Sequence, residues 1–164
     1  MARLFGTDGV RGVANTKLTP ELAFQLGRAA AAVLTQNQQR PAILVGKDPR
    51  SSGDMLEAAL AAGMMSNGAQ VISVGIVTTP AVAYLTKQMA VQAGAMISAS
   101  HNQVDDNGIK FFSHDGYKLP DAKEDAIEAY LRQDNEISAR LTGAGVGSWQ
   151  RNETAVQLYL DSLR

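Results

Sequence analysis

The chain has 164 residues, of which 45% are hydrophobic, 19% are charged and 5% are aromatic. This length and composition fit one globular domain with a packed core and exclude disordered and collagen-like chains. The 15 basic and 16 acidic residues nearly cancel, which argues against nucleic acid as a partner. Because the chain has no cysteine and no apolar run of the ~20 residues that a membrane span needs, we expect a cytoplasmic protein with no disulfide and no membrane contact.

The apolar pattern switches repeatedly between helical and strand-like spacing. This alternation predicts an α/β fold, a three-layer αβα domain whose mixed, mostly parallel sheet of about four strands lies between helices. Helix starts are marked by Thr19 before Pro20, by Ser51 or Ser52, and by Thr79 before Pro80. The predicted helices span about 20–36, 80–89 and 121–133, with another between the cap at Ser51 or Ser52 and a stop at Asn67-Gly68. The predicted strands span 42–46, 70–76, 93–99 and 108–112. A surface turn is expected at 114–116, with no role for His114.

The character of the chain changes beyond Asp134. Glycines at 143, 145 and 147 indicate a flexible stretch, and residues 153–164 resume a helical pattern with no following sequence to pack against. We therefore predict one domain over 1–150 and the start of a helical connection to a second domain over 151–164.

Ligands of open α/β sheets bind at the carboxyl ends of the strands, so the segments near these ends are candidate sites. In Gly6–Gly12, three glycines spaced by three allow close backbone approach, and Arg11 can hold a phosphate bidentately. The segment lacks the Gly-Lys-Ser/Thr end of a P-loop, and its glycines alone favour a plain turn.

The turn Gly46–Ser52 lies between a predicted strand and a helix N-terminus, where free N–H groups favour anions. A capped helix with solvated charges explains the same residues equally well. We expect this turn to support a site rather than to form one.

A third segment, Ile97–Asn102, places Ser, His and Asn at the end of a buried strand, which is costly unless these groups bind a ligand or one another. Ser100 and His101 are sequence neighbours without a Gly-x-Ser-x-Gly elbow, which disfavours a hydrolase triad. The acids and amide at 105–107 lack the spacing of a calcium loop and indicate a turn.

Taken together, Phe5–Gly12 (FGTDGVRG), Ser98–Asn102 (SASHN) and Asp106–Phe112 (DNGIKFF) resemble the α-D-phosphohexomutase family, and within it the members that act on an amino-sugar phosphate. The resemblance covers essentially the whole chain in order and spacing. It implies a four-domain enzyme whose first domain is this chain and whose metal-binding Asp-x-Asp-x-Asp loop lies in the second domain. Gln103 departs from the family, which usually has proline at this position.

By this resemblance, Ser100 carries a phosphate that it gives to the sugar and then recovers, so that 6- and 1-phosphates interconvert through a bisphosphate. A magnesium ion is implied, with the phosphate on Ser100 as one ligand. His101 and Lys110 are both candidates for proton transfer or for stabilising the transferring group. The other site residues implied are Arg11, which would hold phosphate, and Asp8 and Asn102, which would orient the loop.

Two other functions stay open: a stand-alone phosphate-binding or phosphoacceptor module without catalysis, and a surface for assembly, since the family allows a homodimer.

For Lys110 the alternative is a solvated lysine on an edge strand. If it instead faces Ser100, the strand from Gly108 must run beside the strand ending at Ala99. Alternation then puts Lys110 and Phe112 on one face of that strand.

Overall fold

The computed structural model describes residues 2–36, 38–133 and 140–164. Helices lie on both faces of one sheet, as predicted. The elements are β1 Val10–Val13, α1 Pro20–Leu34, β2 Ala42–Lys47, α2 Gly53–Ser66, β3 Gln70–Ile76, α3 Thr79–Gln88, β4 Ala93–Ile97, β5 Asp106–Ser113, α4 Asp121–Arg132, β6 Trp149–Arg151 and α5 Ala155–Ser162. Among these helices, none is long and apolar enough to cross a membrane.

Within the described residues, the sheet has six strands in the order β1-β5-β4-β2-β3-β6. The β2–β3, β2–β4 and β3–β6 pairs are parallel, and β5 runs antiparallel to both β1 and β4. The mixed, mostly parallel α/β sheet is therefore confirmed, but the expected number of about four strands is too low. The two strands that sequence patterns miss are β1, which contains Gly12, and β6, which has only three residues, all of them exposed.

The core has one layer on each face of the sheet. One layer packs α1, α2 and α4 against the sheet, and the other packs α3 and α5. Ile109 and Phe111 of β5 belong to the first layer, whereas Phe112 belongs to the second, with the Lys110 ammonium 5.5 Å from its ring centroid. The predicted alternation along β5 is thus confirmed, and the edge-strand alternative for Lys110 fails because β5 lies between β1 and β4.

Helix starts follow the predicted positions with two corrections. Thr19 caps α1 through its hydroxyl, which accepts from the Leu22 N–H at 3.1 Å. The cap of α3 is Thr78, one residue before the predicted Thr79, because either of two successive threonines can supply a capping hydroxyl. Ser52 stands at the cap position of α2, yet its hydroxyl accepts from the Asn107 side-chain amide at 2.9 Å instead.

Two smaller sequence predictions concern turns. His114 is exposed in a turn, as expected. Of the predicted turn at 105–107, Asp105 lies in a turn, but Asp106 and Asn107 already belong to β5, because β1 continues the ladder to that point through the Val13–Asp106 pair.

The terminal helix α5 has a partner, contrary to the expectation for residues 153–164. Ala155 is buried, and the rings of Tyr159 and Tyr84 on α3 lie 5.7 Å apart. The prediction fails because the partner precedes α5 in the sequence instead of following it. The boundary at 150 stays a prediction and falls within β6, and the change of character at Asp134 lies outside the described residues.

Helices α1 and α2 approach so closely that glycine is required at their contact. A Cβ added to Gly27 would lie 2.1 Å from the Leu60 carbonyl oxygen, and a Cβ added to Gly63 would lie 1.9 Å from the Phe24 carbonyl oxygen. Both obstacles are backbone atoms, so a methyl group would force the helices apart.

We therefore expect Gly63→Ala to lower the free energy of unfolding by about 2–3 kcal/mol, although alanine is the better helix former. Urea denaturation measures this change. The matched control is Gly53→Ala in the first turn of α2, where an added Cβ would lie 3.4 Å from its nearest neighbour and should change stability by less than about 1 kcal/mol. Equal losses in the two variants would contradict this account of the contact.

Candidate functional site

The candidate site is a cleft beside the carboxyl end of β4. It has a volume of about 200 Å³ and is lined by Asp8, Arg11, Thr79, Met96, Ser98, Ser100 and Lys110. A wider groove of about 830 Å³ extends over residues 48–51 and 76–79, and it shares four lining residues with this cleft: Thr79, Met96, Ser98 and Ser100. Ser100 therefore lies exposed where the small cleft opens into the groove.

Ser100 has an unusual backbone conformation. Its φ of +56° lies in the left-handed region, which costs a non-glycine residue on the order of 1 kcal/mol. The Ser100 N–H donates to Ser98 Oγ at 3.0 Å, and the Ser100 carbonyl accepts from the Arg50 guanidinium at 3.0 Å. Both sides of the residue are thus held, and its hydroxyl stays exposed.

Two cations face Ser100 across the cleft. Arg11 Nη2 and Lys110 Nζ each lie 3.9 Å from a different carboxylate oxygen of Asp8. These contacts are long, and the Asp8 side chain is 54% exposed, so Asp8 binds both cations weakly. The first residue of α3, Thr79, also lines the cleft and brings the positive end of a helix to it. The arrangement favours an anion.

The close approach of these groups depends on Gly108. This residue pairs with Arg11 across the β1–β5 ladder. A Cβ at Gly108 would lie 2.6 Å from the Ser98 carbonyl oxygen and 2.9 Å from Arg11 Cγ. The glycine therefore lets the serine loop and the Arg11 side chain pack against the same strand.

The two remaining predicted residues behave differently. Asn102 accepts from Arg11 Nη1 at 3.4 Å, so it orients the guanidinium. His101 is exposed, and within residues 2–36, 38–133 and 140–164 its side chain makes no hydrogen bond or ion pair. The structure thus brings together Asp8, Arg11, Asn102, Ser100 and Lys110, and it leaves His101 outside the residues that line the cleft.

The sequence analysis missed Asp48, Arg50 and Ser98 as individual site residues. Arg50 donates to backbone carbonyls of the serine loop, and Asp48 accepts from the Ser98 hydroxyl at 2.6 Å. The charged turn Gly46–Ser52 was expected to support a site. It lies beside the serine loop and binds it through Arg50 and Asp48. The signal was its charge at a strand end, but no pattern shows that its partner is a loop 50 residues further along the chain.

An ion network of a half-buried lysine, a buried glutamate and an exposed aspartate fixes the end of β2 below this turn. The Lys47 ammonium binds Asp54 at 2.7 Å and also binds Glu57, which accepts from the Ser73 hydroxyl. Burial alone would lower the pKa of Lys47, but hydrogen bonds to Asp54 and Glu57 outweigh it and raise the pKa above its ordinary value. The hydrogen bond from Lys47 also lowers the pKa of Asp54.

This network is a structural support at neutral pH. Because the pKa of Lys47 is raised on folding, its contribution to stability is present at neutral pH and is lost only as the solution becomes alkaline enough to deprotonate the lysine. Lys47 is also not among the residues that line the 200 Å³ cleft.

The donor set of the cleft fits a phosphate better than a metal held by protein alone. In the described parts of the chain, no group of three or more His, Asp, Glu or Cys residues lies close enough together to hold a metal ion. Asp8 is the one carboxylate among the residues lining the 200 Å³ cleft. A phosphate on Ser100 would add oxygen ligands of the kind that magnesium prefers.

Comparison with known proteins agrees with the α/β/α layers and the serine loop described above. Residues 2–138 match the family described as "Phosphoglucomutase/phosphomannomutase, alpha/beta/alpha domain I". The chain therefore belongs to this family, and the resemblance read from its motifs is confirmed.

Within the family, the chain is similar to proteins named phosphoglucosamine mutase. It is 58% identical over all 164 residues to that of Thermoanaerobacter sp. (strain X514) and 54% identical to that of Geobacillus kaustophilus (strain HTA426). In both cases the chain spans 36% of the relative's length. A putative phosphomannomutase from Thermus thermophilus has a similar solved structure, with a TM-score of 0.82 and 27% identity over 99% of this chain and 36% of that one.

Proposed function

We propose that this chain is the phosphoserine domain of a phosphoglucosamine mutase. Such an enzyme interconverts glucosamine 6-phosphate and glucosamine 1-phosphate through a bisphosphate, as a step toward amino-sugar nucleotides for cell-wall precursors. The relatives with this name support the substrate class. The observation that carries the proposal is the exposed Ser100 hydroxyl in a cleft lined by Arg11 and Lys110.

The chemistry of this cleft suits a phosphorylated serine. Phosphate on Ser100 carries close to two negative charges at neutral pH, and Arg11, Lys110 and the N-terminus of α3 offset them. In the transfer, the bond between phosphorus and Ser100 Oγ breaks as a bond forms from phosphorus to a sugar hydroxyl oxygen. The hydroxyl loses its proton, and Ser100 Oγ regains one. The reverse transfer from the other sugar position restores the phosphoserine, so no phosphate is consumed.

Lys110 is the better candidate for proton transfer or charge stabilisation. Its ammonium lies in the cleft beside Asp8, whereas His101 does not line the cleft. Asp8 is a shared partner of Arg11 and Lys110 in the cleft that Ser100 lines. Since its contacts with them are long, a phosphate can replace it as their partner at little cost.

We further propose that the enzyme uses magnesium, with an oxygen of the Ser100 phosphate as one ligand and the other ligands from outside the described residues. When bound, magnesium neutralises charge on the transferring phosphoryl group. The residues of this chain bind and orient that group: Arg11 holds it, and Asn102 holds Arg11. A homodimer and a cytoplasmic location stay predictions.

A coupled assay of the full-length enzyme tests the substrate class. We expect kcat/KM for glucosamine 1-phosphate to exceed that for glucose 1-phosphate by at least about tenfold, since a site that pairs with an amino group leaves its polar groups unpaired with the analogue. The 164-residue chain alone is expected to show no turnover. A preference for glucose 1-phosphate would contradict the substrate class. Phosphorylated Ser100 without any isomerisation by the full-length protein would favour a phosphoacceptor module.

A further inference from the structure

We propose that Arg50, acting with Asp48 and Ser98, is a positioning residue that fixes the Ser100 peptide for phosphoryl transfer. We call these three residues the serine-loop clamp. The inference rests on the proposed function, because it assigns a role to residues that touch the backbone of Ser100 and not the substrate. Arg50 and Asp48 come from the turn after β2, which was expected to support a site without any single residue being assigned a role.

Arg50 uses every N–H of its guanidinium on this task. Nη2 donates to the carbonyls of Ser100 and Asn102 at 3.0 and 2.9 Å, and Nη1 donates to those of Gln103 and Asp106 at 2.5 and 3.0 Å. Nε donates to Asp48 Oδ2 at 3.2 Å. Five donors thus meet five acceptors, which is the full capacity of an arginine. Three of these acceptors lie on the loop between β4 and β5, and a fourth is the carbonyl of Asp106, the first residue of β5.

Asp48 connects the other two residues of the clamp, Arg50 and Ser98. Its Oδ2 accepts from Arg50 Nε and, at 2.6 Å, from the Ser98 hydroxyl, while its Oδ1 accepts from the Arg50 backbone N–H at 3.1 Å. Ser98 Oγ in turn accepts from the Ser100 N–H. Ser100 is therefore held through its amide by Ser98 and through its carbonyl by Arg50, and both paths end on one carboxylate oxygen.

The clamp holds Ser100 in a backbone conformation that the loop alone does not favour. Ser100 is exposed and lies outside both flanking strands, and its φ of +56° is a conformation that the chain alone does not favour. Phosphoryl transfer depends on alignment, and a displacement of about 1 Å lowers the rate strongly. A clamp that fixes the Ser100 peptide while leaving its hydroxyl free meets that need.

Arg50→Lys tests the clamp in the full-length enzyme, because lysine keeps the charge and has three donors on a flexible stem. We expect kcat to fall at least ~30-fold while KM for the sugar phosphate changes less than ~3-fold, since the clamp acts on Ser100 and not on the substrate. Amide hydrogen exchange should accelerate at least ~10-fold over residues 100–106 and stay unchanged in β2 and β4.

The matched control is Arg132→Lys. Arg132 pairs with Glu128 at 3.0 Å on α4, and its side chain is 52% exposed. This variant should leave kcat, KM and exchange in the serine loop unchanged. A second probe is Ser98→Ala, which removes the acceptor of the Ser100 N–H without changing charge and should lower kcat at least ~5-fold at constant KM. It keeps the clamp testable if Arg50→Lys fails to fold.

Two outcomes would overturn the inference. One is a kcat within about threefold of wild type in the folded Arg50→Lys enzyme. If Arg50→Lys does not fold, the same result in Ser98→Ala would overturn the inference. The other is faster exchange throughout the domain, which would assign Arg50 to general stability.

Ser100→Ala in the same assay separates this inference from the proposed function. Wild-type turnover in Ser100→Ala defeats the function itself, whereas an inactive Ser100→Ala beside a fully active Arg50→Lys defeats the clamp alone.

Discussion

Ser100→Ala is expected to reduce turnover of the full-length enzyme to below ~10⁻⁴ of wild type, because it removes the atom that we propose to carry the phosphate. The fold should be retained. Ser100 is exposed on a loop, so alanine opens no core cavity, and its peptide contacts to Ser98 and Arg50 involve backbone atoms that alanine also has. The coupled mutase assay measures the loss, and a melting temperature within about 3 °C of wild type shows that the domain is intact.

The matched control for this variant is Ser113→Ala. Ser113 is the last residue of β5, at the opposite end of the strand from the cleft, and it is only partly buried. Turnover of this variant should equal that of wild type. Wild-type turnover in Ser100→Ala itself would show that another residue carries the phosphate.

Lys110→Met is expected to lower turnover by at least ~100-fold, the usual scale for a proton-transfer or charge-stabilising group. Methionine keeps most of the length and packing of the lysine stem and removes the charge. The Lys110 ammonium lies over the Phe112 ring and 3.9 Å from Asp8, and its side chain is 27% exposed. It therefore reaches the cleft from a strand that is paired on both sides.

Stability should change little in Lys110→Met. The ion pair lost is long, and its partner Asp8 is more than half exposed, so it contributes at most about 1 kcal/mol. Lys118→Met is the matched control, since the ion pairs of Lys118 are also long, at 3.9 Å with Asp121 and 3.7 Å with Glu124. It should keep wild-type turnover. More than about a tenth of wild-type turnover in Lys110→Met would remove this lysine from the transfer step.

Local patterns account for the elements that contain their own signals. Thr19 and Pro20 mark the start of α1, and the continuous apolar run at 42–46 marks β2. In contrast, β1 has the sequence Val-Arg-Gly-Val, which lacks a strand-like pattern. It is a strand because β5 supplies its hydrogen-bond partners from almost 100 positions later in the chain. Pairing of this kind is not encoded in either segment alone.

The site shows the same division. The resemblance pointed to Ser100, Arg11 and Lys110, whose side chains define the chemistry, and the structure brings them to one cleft. It did not point to Arg50, because four of the five acceptors of this side chain are backbone carbonyls. Carbonyls are present at every position, so the residues that receive such bonds show no sign of it in their identity. Only the path of the loop reveals the contact.

Mapping of the covalent phosphate tests the proposed role of Ser100 most directly. The full-length enzyme would be incubated with glucosamine 1,6-bisphosphate, quenched during turnover, digested and examined by mass spectrometry. We expect one phosphate, on the peptide that contains Ser100, and we expect it to be absent from Ser100→Ala. Phosphate on a different residue, or an enzyme that turns over with Ser100 never phosphorylated, would contradict this role.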